Sequence, residues 1–340
     1  MKFYTRLPIL RVLGVMILSL VLTTVSAQEL PSETVLNLAW SHDGQRVAAI
    51  QNGGTGFIWD VANRQVLTAL KGHQYGGAGV AWRADDRQLV TTSDGGVIVW
   101  DVETGEEVYR LLQGGALAPI WDGDSQRIVI SSLSGFRVWD AQTGEAIANY
   151  DTIEANIPTI GEIAWDSQYR RLAADGGIGL FIFSGDRLEN VVTHFRKENS
   201  DDESGEIRFA TLAWHPSDQM IAGGDTVGVV RVVNPDTGDI LMTLSAHPNA
   251  DLPVPTGVER AEFSRFLQGR IVRNVSFSPD GSQLYTVTRD GTLRTWDVLT
   301  GKLVAEEMLG QMVAGVDWSP YMGRLAYTVR PEETEDDRFT

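Results

Sequence analysis

A tryptophan-aspartate pair recurs along the chain, and its period is the strongest constraint on the fold. The pair or its remnant ends a strand-like run at Trp59-Asp60, Trp100-Asp101, Trp139-Asp140, Phe183, Val233-Asn234 and Trp296-Asp297. Successive spacings are 41, 39, 44, 50 and 63 residues. A repeat near 40 residues is one supersecondary unit that cannot bury its own apolar face, so neighbouring units must stack.

The stretch from Leu89 to Leu112 shows what one unit contains. Its β-branched or alternating runs predict three antiparallel strands, at Leu89–Thr92, Val97–Asp101 and Glu107–Leu112. Asp94-Gly95 and Glu103-Thr104-Gly105 supply the residues that tight hairpin turns need.

A second aromatic series adds a fourth strand to each unit. These aromatic residues close a strand about 18 residues before the first series; they are Trp40, Trp82, Trp121, Trp165, Trp214, Phe277 and Trp318. All ten tryptophans fall in one series or the other, which predicts packing between sheets and indole hydrogen bonds. We therefore predict an all-β propeller of four-stranded antiparallel blades, seven in number, with the last incomplete in this chain.

From about Val35 to Thr340 the chain resembles the WD-repeat (WD40) family. The matching segments are IWDVANRQ (58–65), VWDVETGE (99–106), VWDAQTGE (138–145), TWDVLTGK (295–302) and FSPDG (277–281). The resemblance implies a structural tetrad of histidine, serine or threonine, aspartate and tryptophan within a blade. Only the second blade is expected to keep all four, as His73, Thr92 (or Ser93), Asp94 and Trp100.

The first 27 residues have the pattern of an export signal. A basic leader precedes the apolar run Val12–Val25, and Val25-Ser26-Ala27 suits signal peptidase. We expect cleavage after Ala27, a tether over 28–34, and a secreted or cell-envelope protein without stable membrane insertion. An uncleaved anchor is the alternative. No cysteine is present, so disulfides cannot contribute to stability.

The last unit, 311–340, supplies two strands and then an acidic loop. Gln28–Thr34 is too short to complete it, so the sequence predicts either an unfinished blade or a chain that is a fragment. An exposed edge strand favours aggregation, which favours the fragment interpretation.

The charge is one-sided, with a formal net value of −17. Phosphate backbones and anionic membranes need basic patches, so nucleic acid is not an expected partner. Acidity also keeps an exported protein soluble.

Irregular segments between the repeats are the candidate partner-binding sites, because loops on a rigid scaffold commonly carry function. They are the insertions 196–206 and 247–270 and the acidic loop that begins at Pro331, and the resemblance places all three on one face. Helical spacing over Val258–Leu267 predicts a short helix. The candidate binding residues are Asp201, Asp202, Glu203, Arg260, Phe263, Arg265, Phe266, Glu332 and Glu333.

Catalytic and metal motifs are missing from the sequence. The five histidines have no metal-binding spacing, and there is no nucleophile elbow or phosphate-binding glycine loop. We expect no cofactor and no metal, and a non-catalytic scaffold that binds a protein or peptide. The alternatives are an exported enzyme or small-ligand or cation binder using carboxylates at the central channel, and adhesion to basic surfaces through the acidic loops.

Overall fold

Twenty-eight strands form seven four-stranded sheets in this computed structural model. It describes residues 2–6, 20–23, 35–111, 114–151, 160–176, 179–185, 187–196, 209–248, 250, 270–310, 313–319 and 324–329. No helix occurs among these residues. The all-β propeller prediction is therefore confirmed.

Blades one to three each consist of four consecutive antiparallel strands, numbered from the channel outward. The strands of blade one are β3 Val35–Trp40, β4 Arg46–Gln51, β5 Gly56–Asp60 and β6 Gln65–Leu70. Those of blade two are β7 Gly77–Trp82, β8 Gln88–Ser93, β9 Gly96–Asp101 and β10 Glu107–Leu111. Those of blade three are β11 Ala116–Trp121, β12 Arg127–Ser132, β13 Gly135–Asp140 and β14 Ala146–Asp151.

Blades four to six repeat this order despite the loss of Trp-Asp in blades four and five. Blade four has β15 Ile163–Trp165, β16 Arg171–Asp175, β17 Gly179–Ser184 and β18 Asn190–Arg196. Blade five has β19 Phe209–Trp214, β20 Ile221–Asp225, β21 Val229–Val233 and β22 Ile240–Ser245. Blade six has β23 Val272–Phe277, β24 Gln283–Thr288, β25 Thr292–Asp297 and β26 Leu303–Met308.

The seventh sheet joins the two ends of the chain. β27 Val313–Trp318 and β28 Arg324–Val329 are followed in the sheet by β1 Lys2–Arg6 and then β2 Leu20–Thr23. Lys2 lies opposite Tyr327 in the antiparallel β1–β28 ladder. β1 and β2 thus occupy the third and fourth strand positions, which were expected to be vacant. Pairing with β1 satisfies the outer edge of β28. Cleavage after Ala27 would remove both added strands, and it stays a prediction.

Apolar clusters lie between adjacent blades and close the ring. One cluster joins Ile58 and Leu70 of blade one to Trp82 and Trp100 of blade two, and another joins Ala326 of β28 to blade one. Trp100 is 2% exposed. Truncating an indole so deeply buried costs about 3–5 kcal/mol, so the tryptophan series contributes strongly to stability.

Indole hydrogen bonds also join several of the blades to the one before them. Trp82 Nε1 donates to the main-chain oxygen of Ala39 at 2.9 Å, and Trp214 Nε1 donates to that of Ala164 at 2.9 Å. At the ring closure Trp40 Nε1 donates to Asp317 O at 3.1 Å. These contacts confirm the packing and hydrogen-bonding role expected of the tryptophans.

Candidate functional site: the insertion face and the central channel

Antiparallel alternation puts the loops of each blade on two opposite faces of the ring. The loop that enters a blade's first strand shares one face with the turn between its second and third strands. We call this the insertion face, because both long insertions join one blade to the first strand of the next. The other face, formed by the turns that follow first and third strands, is called the turn face.

A buried network in blade two lies beneath the insertion face. Thr91 Oγ1 is 2.7 Å from His73 Nε2 and accepts a 2.7 Å hydrogen bond from Trp100 Nε1. Ser93 Oγ is 2.8 Å from His73 Nδ1. Burial is the main reason that the pKa of His73 falls to about 4, and the positive charge of Arg110 lowers it further. The histidine is therefore neutral at pH 7 and serves as a structural link.

The predicted tetrad had the right histidine and tryptophan but the wrong threonine. Thr92 points to the opposite side of β8, where its hydroxyl donates to Leu117 O of blade three at 2.5 Å. Strand side chains alternate, so residues 91 and 93 share a face and residue 92 cannot join them. Ser93, not Asp94, contacts the histidine Nδ1; the contact found for Asp94 is through its main-chain oxygen, to Gly115 N.

Blade six builds a second network of the same kind, which the sequence analysis missed. Trp296 Nε1 donates to Thr286 Oγ1 at 3.0 Å, and Thr288 Oγ1 donates to Asp290 Oδ1 at 2.6 Å. His247 Nε2 lies 3.6 Å from Asp290 Oδ2. The expectation that only blade two keeps a tetrad is therefore wrong. His247 is the histidine of this network. The sequence analysis counted it as the first residue of the insertion, whereas it belongs to the ring and the insertion follows it.

Both ends of the larger insertion are buried. His247 is 9% exposed and Arg270 is 2% exposed. Arg294 Nη1 donates to Ala246 O just before the insertion, and Arg289 N donates to Ile271 O just after it. Burial lowers the pKa of His247. The insertion thus leaves and re-enters the ring at fixed points between blades five and six.

The predicted partner-binding residues all lie outside the described residues. They are Asp201, Asp202, Glu203, Arg260, Phe263, Arg265, Phe266, Glu332 and Glu333. The helix predicted over Val258–Leu267 lies outside them as well. These assignments stay predictions, and what the structure defines is the base from which the larger insertion starts.

A cavity of about 540 Å³ lies at the turn face, where the first strands of blades one to five end. Small or branched apolar side chains contribute much of its wall, including Ala39, Ala81 and Ile120. Its carboxylates are Asp122 and Asp166, which pair with Arg127 at 2.8 Å and Arg171 at 3.1 Å. These acids are thus engaged in the wall of the ring.

Two other carboxyl groups near the channel have raised pKa values. Burial raises the pKa of Glu162 to about 7, and the nearby charge of Asp175 adds to the effect. Burial also raises the pKa of Asp317 to about 7, although its carboxylate accepts a 2.8 Å hydrogen bond from Trp40 N. Neither residue lines the cavity. The channel-enzyme alternative stays a prediction.

The turn face shows a feature that the sequence analysis did not find. At the fourth position of the turn after a first strand, several non-glycine residues adopt positive φ, among them Asp86 (58°), Ser125 (58°) and Asp218 (60°). Each reaches back to the preceding blade: Asp86 accepts from His42 N at 2.8 Å, and Asp218 accepts from Ser167 N at 2.7 Å. Replacing glycine there costs backbone strain but adds a bond between blades.

Arginine side chains reinforce the same junctions. Arg46 lies 5.2 Å from the centre of the Trp82 ring, and Arg171 lies 4.7 Å from that of Trp214. Each arginine belongs to the blade before its tryptophan. Such cation–π contacts contribute about 0.5–1 kcal/mol when exposed. Arginine at the start of a second strand is the sequence signal that could have revealed them.

Two kinds of feature are absent from the described residues. No group of three or more histidine, cysteine, aspartate or glutamate side chains is placed to hold a metal ion within that part of the chain. Over the same residues, the structure contains no helix with the length and apolarity needed to span a membrane.

Comparison with known proteins identifies the repeats. The family model described as WD domain, G-beta repeat matches residues 64–101 and 262–297. No curated protein sequence matches the chain. The two matched regions end at Trp100-Asp101 and Trp296-Asp297, in the two blades that hold a histidine-centred network. These two matched repeats, set in a ring of four-stranded antiparallel blades, support a WD-repeat β-propeller.

Proposed function

We propose that this propeller is a non-catalytic exported scaffold that binds a protein or peptide on its insertion face. WD-repeat propellers typically act as protein-interaction scaffolds and are typically not enzymes. The observation that carries the proposal is the fixed base of the larger insertion. A loop held at both ends by buried side chains can present a binding segment with little loss of orientation.

The contacts at the base support a display role. His247 faces Asp290 on one side of the insertion, and Arg270 is buried on the other. An insertion without a role could have joined blades five and six at the surface. Here the two described ends of the connection, His247 and Arg270, instead lie in the buried layer that also holds the network of blade six.

Deleting the insertion while keeping its base tests this role. Residues 251–269 are replaced by a short Gly-Ser linker between Ala250 and Arg270, so that His247 and Arg270 remain. Partners are captured from an envelope extract of the source cell, cross-linked and quantified by mass spectrometry. We expect specific capture to be lost while the unfolding midpoint stays near that of the parent.

The control replaces residues 197–206, which belong to the other insertion predicted for this face, with the same linker. Capture that is unchanged in the 251–269 variant contradicts the assignment to the larger insertion. Capture lost only in the control variant assigns binding to the acidic segment that contains Asp201, Asp202 and Glu203.

Export is tested separately by the intact mass of the protein recovered outside the cytoplasm. We expect a chain that begins at Gln28, because small residues at 25 and 27 suit signal peptidase. A mass that includes residues 1–27 contradicts cleavage. It would also keep β1 and β2 available to the seventh sheet.

A further inference from the structure

The outer rim of blades five and six exposes a group of large apolar side chains. We define the rim patch as Ile240 and Leu241 in β22, Leu299 in the turn after β25, and Leu303 and Val304 in β26. Leu299 is 92% exposed, and the other four are between 48% and 57% exposed. Single exposed apolar residues are common, whereas a contiguous group marks a contact surface.

The turn between β25 and β26 lies beside β22 and so brings the two parts of this group near each other. The turn is closed by a 2.8 Å hydrogen bond from Gly301 N to Asp297 O. A Cβ atom on Gly301 would lie 3.2 Å from Met242 Sδ in β22. Val298 and Met242 also pack against one apolar cluster. The turn that displays Leu299 therefore rests on the strand that displays Ile240 and Leu241.

The charges around the rim patch are mainly negative. Residues 234–245 and 296–308 contain one lysine, Lys302, and five acidic residues: Asp236, Asp239, Asp297, Glu306 and Glu307. Asp236 pairs with Arg171, and Glu306 pairs with Arg294. Asp297 instead accepts hydrogen bonds from Thr300, which lower its pKa and keep it ionised.

Blade one provides a contrast on the same kind of outer strand. β6 exposes Val66 and Leu67 at 40% and 46%, but it is flanked by Arg64 and Lys71. Apolar exposure thus occurs on both rims. In residues 60–71 of blade one, the two basic residues outnumber the one acidic residue, Asp60, whereas acidic residues outnumber basic ones on the rim of blades five and six. The difference allows the contribution of charge to be tested within one protein.

We propose that the rim patch binds an extended segment of a partner protein that carries apolar side chains flanked by lysine or arginine. A second copy of the chain would bring two acidic rims together, and each chain has a net charge of −17. An anionic membrane is disfavoured for the same reason. The patch lies where the outer strands begin, at the turn face, so this binding does not depend on the proposed role of the insertion face.

A peptide with alternating leucine and lysine is the probe. In a strand its leucines share one face and its lysines the other. Binding of the fluorescein-labelled, end-blocked heptapeptide Leu-Lys-Leu-Lys-Leu-Lys-Leu is followed by anisotropy. We expect at least about tenfold weaker binding to Leu241→Ser/Leu299→Ser, and a change below about twofold for the control Val66→Ser/Leu67→Ser. A Leu-Glu heptapeptide is expected not to bind.

Several outcomes would overturn the proposal. Absence of saturable Leu-Lys binding to the parent is one, and equal affinity of the rim and control variants is another. Equal binding of the Leu-Glu peptide would remove the role of charge. A dimer of the parent by light scattering that is lost in the rim variant would identify a second copy as the occupant. Unfolding midpoints confirm that both variants are folded, because all four side chains are exposed.

Discussion

Blades two and six contain the same kind of hydrogen-bonded network, but the loops that supply the histidine differ in length. In each, a tryptophan donates to a threonine on the second strand, and a histidine from the preceding loop lies beside the network. His73 precedes β7 by a few residues, whereas His247 is separated from β23 by the larger insertion. In both blades the preceding strand determines the position of the histidine. The chain between the histidine and the next strand can therefore vary in length.

Removal of the threonine hydroxyl should produce the largest difference in stability between variants of the two blades. Thr91→Val removes the hydroxyl that bonds both His73 and Trp100, whereas Thr286→Val removes the acceptor of Trp296. Each buried polar group left unsatisfied costs about 1–3 kcal/mol, so we expect about 2–4 kcal/mol for Thr91→Val and about half of that for Thr286→Val. Urea unfolding measures both. Equal losses would show that His73 does not depend on Thr91.

Acidification should weaken blade two through His73. Its pKa in the fold is about 4, below the ordinary 6.5, so the fold favours the neutral ring. The stability that comes from the neutral ring is complete above pH 6.5 and is lost as the pH falls toward 4. We expect His73→Gln to have a smaller loss of stability over this range than the parent.

The pH comparison requires each protein to be unfolded at a series of pH values with urea. Carboxyl groups titrate in both proteins, so only the difference between the two curves reports on His73. Parallel curves for the parent and His73→Gln would contradict a neutral, buried histidine.

The smallest expected effect concerns the group that faces each histidine. Asp290 lies 3.6 Å from His247, and its side chain is 30% exposed. Partly exposed pairs of this kind contribute about 0–1 kcal/mol, so Asp290→Asn should cost less than about 1 kcal/mol. Ser93→Ala removes a neutral, buried contact and should cost about 1 kcal/mol or more, with little dependence on salt. A strong salt dependence for Ser93→Ala would contradict this assignment.

The period of the tryptophan series was enough to predict the propeller, because spacing survives where Trp-Asp itself is lost. Blades four and five keep four strands with Phe183 and Val233 in the tryptophan position. An apolar residue of any kind can fill the space between two sheets. Fold prediction here depended on pattern rather than on the identity of one side chain.

The networks were harder to predict, since they depend on strand parity and on loop length. In Thr91-Thr92-Ser93 every residue can donate and accept, so composition cannot choose among them; the side that faces Trp100 must be known. Thr286 and Thr288, two residues apart, show the required parity directly. Counting from the preceding strand would have found His247, because Leu70 precedes His73 by the same interval as Leu244 precedes His247.

The left-handed turn residues have a consequence for how the ring is assembled. Asp86 and Asp218 complete hydrogen bonds in the turn of the blade before them. A blade made early in synthesis therefore gains its last contacts only when its successor has folded. The seventh sheet contacts the first blade: Arg324 Nη1 reaches Gly44 O at 3.5 Å, in the turn of that blade. Closure of the ring is thus the step that supplies the contacts between the seventh sheet and the first blade.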